Sequence, residues 1–133
     1  MPRQPLENLT ESMFYVLMAL TRGDACGAEI TAFAAQVSGG AVRLGPATLY
    51  TLLARFEAEG FLREAGTVGC KRYYRLTAAG NAAFEGERDR LHGCLDDAAR
   101  AAITAPASLT KGAEHDENER ETDRAPSGAL PAL

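Results

Sequence analysis

The sequence contains no apolar stretch long enough to span a bilayer, which takes about 20 predominantly apolar residues. It opens on Met1-Pro2-Arg3-Gln4-Pro5 and a polar segment, not on the apolar core of a signal peptide. The expected location is therefore the cytoplasm, with no membrane partner. The three cysteines are an odd number and give no disulfide framework. No CxxC or HxxxH pairing is present. His92 and Cys94 stand two apart on a helical stretch and so point different ways, and His115 lies far along the chain. No metal site is expected. A phosphate loop, a nucleophile elbow and a paired acid and base are all missing. The chain is expected to be neither an enzyme nor the holder of a cofactor.

Positive charge is also scarce in total. Fourteen lysines and arginines stand against eighteen acidic residues, a net charge of -4. Its distribution matters more than the sum. Arg43, Arg55, Arg63, Lys71, Arg72 and Arg75 outnumber Glu57, Glu59 and Glu64 in the middle of the chain. The acids Glu114, Asp116, Glu117, Glu119, Glu121 and Asp123 crowd the end, against Lys111, Arg120 and Arg124. Affinity for a polyanion depends on the local patch. At 133 residues the chain is one domain with a tail.

What is present centres on Gly45 to Gly60. Pro46 suits the first position of a helix, where its missing N–H costs nothing, and Gly60 is a left-handed stop. Leu49, Leu52, Leu53 and Phe56 fall on one face. The other face carries Ala47, Thr51, Ala54 and Ala58, flanked by Tyr50 on one side and Thr48 and Arg55 on the other. That surface is small, hydroxylated and basic at one edge. It allows close approach to a partner and hydrogen bonds to base edges or phosphates. Thr51, at mid-face, is the expected base-edge reader. Thr48 is read either as a contact or as a local bond to first-turn backbone. Glu57 and Glu59 lie at the far end, so the N-terminal half is the part expected to enter a groove.

Two β-prone runs follow, Phe61 to Ala65 and Lys71 to Thr77, around a glycine-containing loop from Gly66 to Cys70, and read as a hairpin. Tyr74 and Leu76 are expected to face the core, with Tyr73 and Arg75 outward. A groove-ready helix followed by a basic hairpin is the winged form of the helix-turn-helix. From about Leu9 to about Leu95 the chain resembles the PadR family of bacterial transcriptional regulators. The residues that carry the resemblance are Ser38-Gly39-Gly40, Leu44 to Tyr50, Glu57 to Leu62 and Arg72 to Thr77. Members of the short subgroup have a single C-terminal helix after the wing, as expected here. The turn before the second helix reads Cys26-Gly27-Ala28 instead of the family's His-Gly-Tyr-like sequence, so contacts from that turn are not carried over.

The resemblance implies a mainly α fold with a small β-hairpin: a winged helix-turn-helix with an N-terminal helix and a C-terminal dimerisation helix. The expected organisation is a flexible N-terminus over 1–8, the winged-helix domain over 9–77, the dimerisation helix over 78–103 and a disordered tail over 104–133. Thr10 is the expected cap of a first helix through Leu20, apolar on nearly all sides. A second helix runs from about Gly27 to Val37, with Arg22 to Gly27 as a turn before it. Thr77 is expected to cap the last helix. There Phe84, Leu91 and Ala98 recur by sevens, with Arg88, Leu95 and Ala102 between them, a thin a/d pattern.

The resemblance also implies a homodimer on double-stranded DNA, acting as a repressor at an inverted repeat. The residues expected at DNA are Arg43, Ala47, Thr48, Tyr50, Thr51, Arg55, Lys71, Arg72 and Tyr73. Those expected between subunits are Met13, Phe14, Leu17, Phe84, Leu91, Leu95 and Ala98. A small-molecule effector of unknown identity is a further implied partner. The chain has no tryptophan, so a drug pocket built from stacked tryptophans is not expected. Cys26, in a turn taken as exposed, and Cys70, in the wing beside two cations, are candidate redox positions, with incidental cysteines as the plainer reading. A winged-helix module that meets protein instead of DNA stays open on the sequence alone.

Overall fold

The computed structural model describes residues 8–104. The expected loose N-terminus, apart from Asn8, and the expected tail beyond Thr104 lie outside the described residues. The order of elements is α1 (Glu11–Leu20), β1 (Ala25–Cys26), α2 (Gly27–Val37), α3 (Pro46–Glu59), β2 (Leu62–Val68), β3 (Lys71–Leu76) and α4 (Ala78–Ile103). The chain divides into two units, one ending at Arg90 and one beginning at Leu91.

Local chemistry accounts for the helix ends. Thr10 Oγ1 accepts from the Met13 N–H at 3.2 Å, and Met13 Sδ lies 3.5 Å from the Thr10 N–H, a capping box with sulfur in the usual glutamate's place. Pro46 opens α3, and Gly60 ends it at φ 80 in the left-handed region. Ser38 Oγ accepts from the Val42 N–H at 2.9 Å, which turns the chain from α2 toward α3. Val42 and Leu44, on that short link, are both buried.

The core of the first unit is formed by Val16, Leu17, Leu20, Ile30, Ala34, Leu49, Leu53, Phe56, Leu62 and Tyr74, with Phe84 from α4. Two expected subunit contacts belong to it. Leu17 has no accessible surface left to offer a second chain. Phe84 is buried, its ring stacked on Phe14 with centroids 5.0 Å apart. The reason is that α1, apolar all round, is covered largely by its own chain. Arg88, placed in a seam by the heptad count, is instead exposed, with its guanidinium 5.8 Å from the centre of the Phe84 ring.

The sheet has three strands in the order β1-β3-β2. The stretch expected to be only a turn supplies β1, with Ala25 opposite Tyr74 and Cys26 opposite Tyr73. Cys26 is consequently 3% exposed, not on an open turn. The hairpin is longer than expected, because β2 continues through Gly66 and Thr67 to Val68, paired with Lys71, and a register shift falls between Glu64 and Gly66. Only Gly69 and Cys70 form the turn, with Gly69 at φ 63. A two-residue turn with positive φ at its first position follows the right-handed strand twist. Tyr74 is buried and Arg75 exposed, as the alternation required.

Thr77 joins the sheet to α4. Its hydroxyl donates to the Gly60 carbonyl at 2.6 Å and accepts from the Gly80 N–H at 3.0 Å, while its own N–H donates to the Phe61 carbonyl at 3.0 Å. Two turns beyond Gly80, Glu87 is buried and paired with Arg90. The Arg90 guanidinium holds the Glu87 carboxyl below the usual glutamate range, and the Leu9 backbone adds a hydrogen bond in the same direction. Folded Glu87 therefore binds fewer protons than it does in the unfolded chain. Its contribution is present above the ordinary glutamate pKa and is lost as pH falls through the lower folded value. Urea midpoints at neutral and acid pH should accordingly drop less for Glu87→Gln than for the wild type. Equal drops would mean that Glu87 is not part of the acid response.

In the second unit the described residues, Leu91 to Thr104, complete α4. Leu95 and Ile103 are exposed at 69% and 82%, and Arg100 pairs with Asp97 one turn back.

Candidate nucleic-acid interface

α3 is fixed by one face and free on the other. Leu49, Leu53 and Phe56 are buried, and Leu52 is half-buried. Ala47, Thr48, Tyr50, Thr51, Ala54 and Ala58 are all exposed. This division follows from the 3.6-residue period of the apolar positions. No charged side chain stands between Pro46 and Ala54, so nothing on that stretch repels phosphate or shields the hydroxyls.

Beside this face lies a cleft of about 410 Å³, lined by Cys26, Gly27 and Ala28 at the start of α2, Tyr50 of α3, and Cys70, Lys71, Arg72 and Tyr74 of the wing. The arrangement brings Tyr50, Lys71 and Arg72, expected together from sequence, to one place. It adds Gly27 and Ala28 at the start of α2, whose turn was set aside because it departs from the family's His-Gly-Tyr-like sequence.

The expected cations are not equally available. Arg72 pairs with Glu64 across the hairpin at 3.4 Å. Arg55 pairs with Glu59 one turn on at 3.2 Å. Arg43 Nε donates to the Gly40 carbonyl at 3.2 Å. Arg75 grips Asp24 with two bonds, at 3.0 and 2.7 Å, and this guanidinium holds the Asp24 carboxyl below the usual carboxylate range. Lys71 is exposed and has no ion pair among the described residues. Tyr73 is half-buried opposite Cys26, and the charge of Glu29 pushes its phenol pKa up, with burial and a bond to Cys26 adding to the effect. Among the described residues no three His, Cys, Asp or Glu side chains are grouped to hold a metal ion, and no helix is long and apolar enough to cross a membrane.

A helix with an open, uncharged face, a second helix packed beneath it and a basic hairpin at its flank define the winged helix-turn-helix class. The family model described as the PadR-like family of transcriptional regulators matches residues 16–86. That is more than half of the chain, and the chain belongs to this family. The family is one of transcriptional regulators. A 37.1 kDa protein carried in a transposon of Streptomyces fradiae is 42% identical over 77 residues, 58% of this chain. The chain spans only 22% of that relative's length.

Solved structures share the fold. A transcriptional regulator from Clostridium thermocellum superposes with a TM-score of 0.59 at 23% identity, over 66% of this chain and 89% of the other. A PadR family regulator from Clostridium difficile gives 0.57 at 23% identity, over 68% and 97%. RosR from H. salinarum gives 0.51 at 19% identity, over 86% and 96%.

Proposed function

We propose that the chain is a sequence-specific DNA-binding repressor that acts in the cytoplasm as a homodimer on an inverted-repeat operator. The observation that carries this reading is the exposed face Ala47, Thr48, Tyr50, Thr51 and Ala54 on a rigidly packed helix, next to the exposed Lys71 of the wing. A major groove admits a helix, and hydroxyl groups can read base edges there. The N-terminal end of α3 carries the positive end of the helix dipole toward phosphate. Lys71, Arg72 and Arg43 serve the backbone, while Arg72 and Arg55 exchange their carboxylate partners for phosphate on binding.

The dimer reading draws on Leu91, Leu95 and Ala98, all exposed along α4, and on the half-buried Met13 and Phe14. An isolated helix with such a surface gains by pairing. A two-fold dimer presents two α3 helices to successive turns of one groove. A small-molecule effector that binds better to a dimer with wrongly spaced helices would release the DNA.

A gel shift with the chain's own promoter region tests the reading. Specific retardation that weakens steeply with salt is expected. Lys71→Ala should lower the slope of log affinity against log salt by about 1, one phosphate contact, with little change in sequence preference. An unchanged slope would remove Lys71 from the interface. Failure to bind any duplex at low salt would favour the protein-interaction module.

A further inference from the structure

Gly27, the first residue of α2, lies close against the phenol of Tyr50. A Cβ built on it would stand 2.9 Å from Tyr50 Oη, 3.4 Å from Tyr50 Cζ and 3.1 Å from Leu49 Cδ2. The glycine is not there for its backbone, since Gly27 does not have a positive φ, and alanine is the better helix former by about 1 kcal/mol. What the bare Cα supplies is space. Little else holds the ring. Tyr50 is 56% exposed and borders two clefts of about 410 Å³ each. One includes Cys70, Lys71 and Arg72 of the wing, the other Thr31, Ala32 and Pro46 between the helices.

We infer that Gly27 is a positioning residue for DNA recognition: by leaving room over the first turn of α2, it sets the direction from which the Tyr50 hydroxyl meets DNA. This rests on the reading of Tyr50 as a DNA contact given above. A methyl group at position 27 displaces the hydroxyl, and the open clefts on both sides receive the ring. The fold survives, and the hydroxyl loses its place. A hydrogen bond has little tolerance for that, because donor and acceptor must lie within about 2.7–3.2 Å.

A double-mutant cycle tests it, with a duplex enriched by the wild-type protein from a random-sequence library as the probe. Gly27→Ala is expected to weaken binding by about tenfold in the wild-type background and by less than about twofold in Tyr50→Ala, since residues in direct contact couple on this scale. Tyr50→Phe removes both the hydroxyl and the atom nearest the added methyl, so the Gly27→Ala penalty there should likewise fall below about twofold. Equal penalties in all backgrounds would overturn the inference, because the effect would then run through Leu49 and the core. If Tyr50→Ala weakens binding and Gly27→Ala does not, the inference about Gly27 fails alone. If Tyr50→Ala has no effect, it is the reading of Tyr50 as a contact that fails. Thermal melts accompany each variant. Should Gly27→Ala melt below the wild type, the same cycle is run in Leu49→Val, which withdraws the Cδ2 methyl.

Discussion

Thr51→Glu is expected to reduce operator affinity by at least about a hundredfold while leaving the melting temperature unchanged. Thr51 is exposed at the middle of α3, on the face opposite Leu49, Leu53 and Phe56. No packing is lost, and glutamate is at least as good a helix former as threonine. At a DNA surface the new carboxylate faces phosphate, and like charges brought together in an interface cost several kcal/mol. Thr51→Ala should behave differently. It removes a base-edge contact worth about 1–3 kcal/mol, so it should lower affinity for the selected duplex and leave non-specific binding nearly unchanged. The same charge added at Ala82, exposed on α4, controls for net charge. Equal affinities for Thr51→Glu and Ala82→Glu, measured by fluorescence anisotropy, would show that α3 does not meet DNA.

The second large effect is on stability. Gly80→Ala is expected to destabilise the protein by about 3 kcal/mol or more, since overpacking is severe where the obstruction is backbone. A Cβ at Gly80 would lie 2.0 Å from the Phe61 carbonyl oxygen, 2.9 Å from the Phe61 carbonyl carbon and 2.7 Å from Leu76 Cδ1. The carbonyl oxygen already accepts from the Thr77 N–H and cannot withdraw without breaking that bond. The first turn of α4 would have to lift, which would disturb the Phe84 stack on Phe14. For a domain of this size the loss corresponds to a fall in Tm of roughly 12 °C or more. Gly86, in the same helix, has nothing within 4 Å of its Cβ position. Gly86→Ala should therefore raise stability by up to about 1 kcal/mol. If calorimetry gives the two variants the same Tm, the crossing of α4 over Phe61 is not as described.

The contrast between these glycines shows what one-dimensional reading can reach. The bounds of α3 follow from Pro46 and Gly60, because both act on their own backbone. The caps at Thr10 and Thr77 are equally local, and the buried face of α3 is a periodicity. Gly80, by contrast, takes its meaning from Phe61, which approaches only after the hairpin has closed. β1 is two residues long, too short for any alternation, and becomes a strand only because β3 lies alongside it. The wing turn is tighter than its glycines suggested, since Gly66 sits at a register shift within β2 and only Gly69 makes the turn.

Charge was the least legible property. Arg72, Arg55 and Arg75 count as free cations in a sequence sum. In the fold, Glu64, Glu59 and Asp24 meet them, and the Arg75–Asp24 pair spans 51 positions of sequence. Lys71 has no such carboxylate among the described residues. For Phe84 a heptad count cannot tell a partner helix from α1 of the same chain, and for Leu17 the all-round apolar character of α1 does not say which side its own chain covers.

The most direct measurement is a comparison of backbone amide chemical shifts with and without a duplex selected by the protein from random DNA. Shifts are expected to be largest at Ala47 to Arg55 and at Gly69 to Arg72, the open side of the second helix of the motif and the tip of its ribbon. If those amides stay where they are while others move, or if no duplex is ever enriched, the surface does something other than bind DNA.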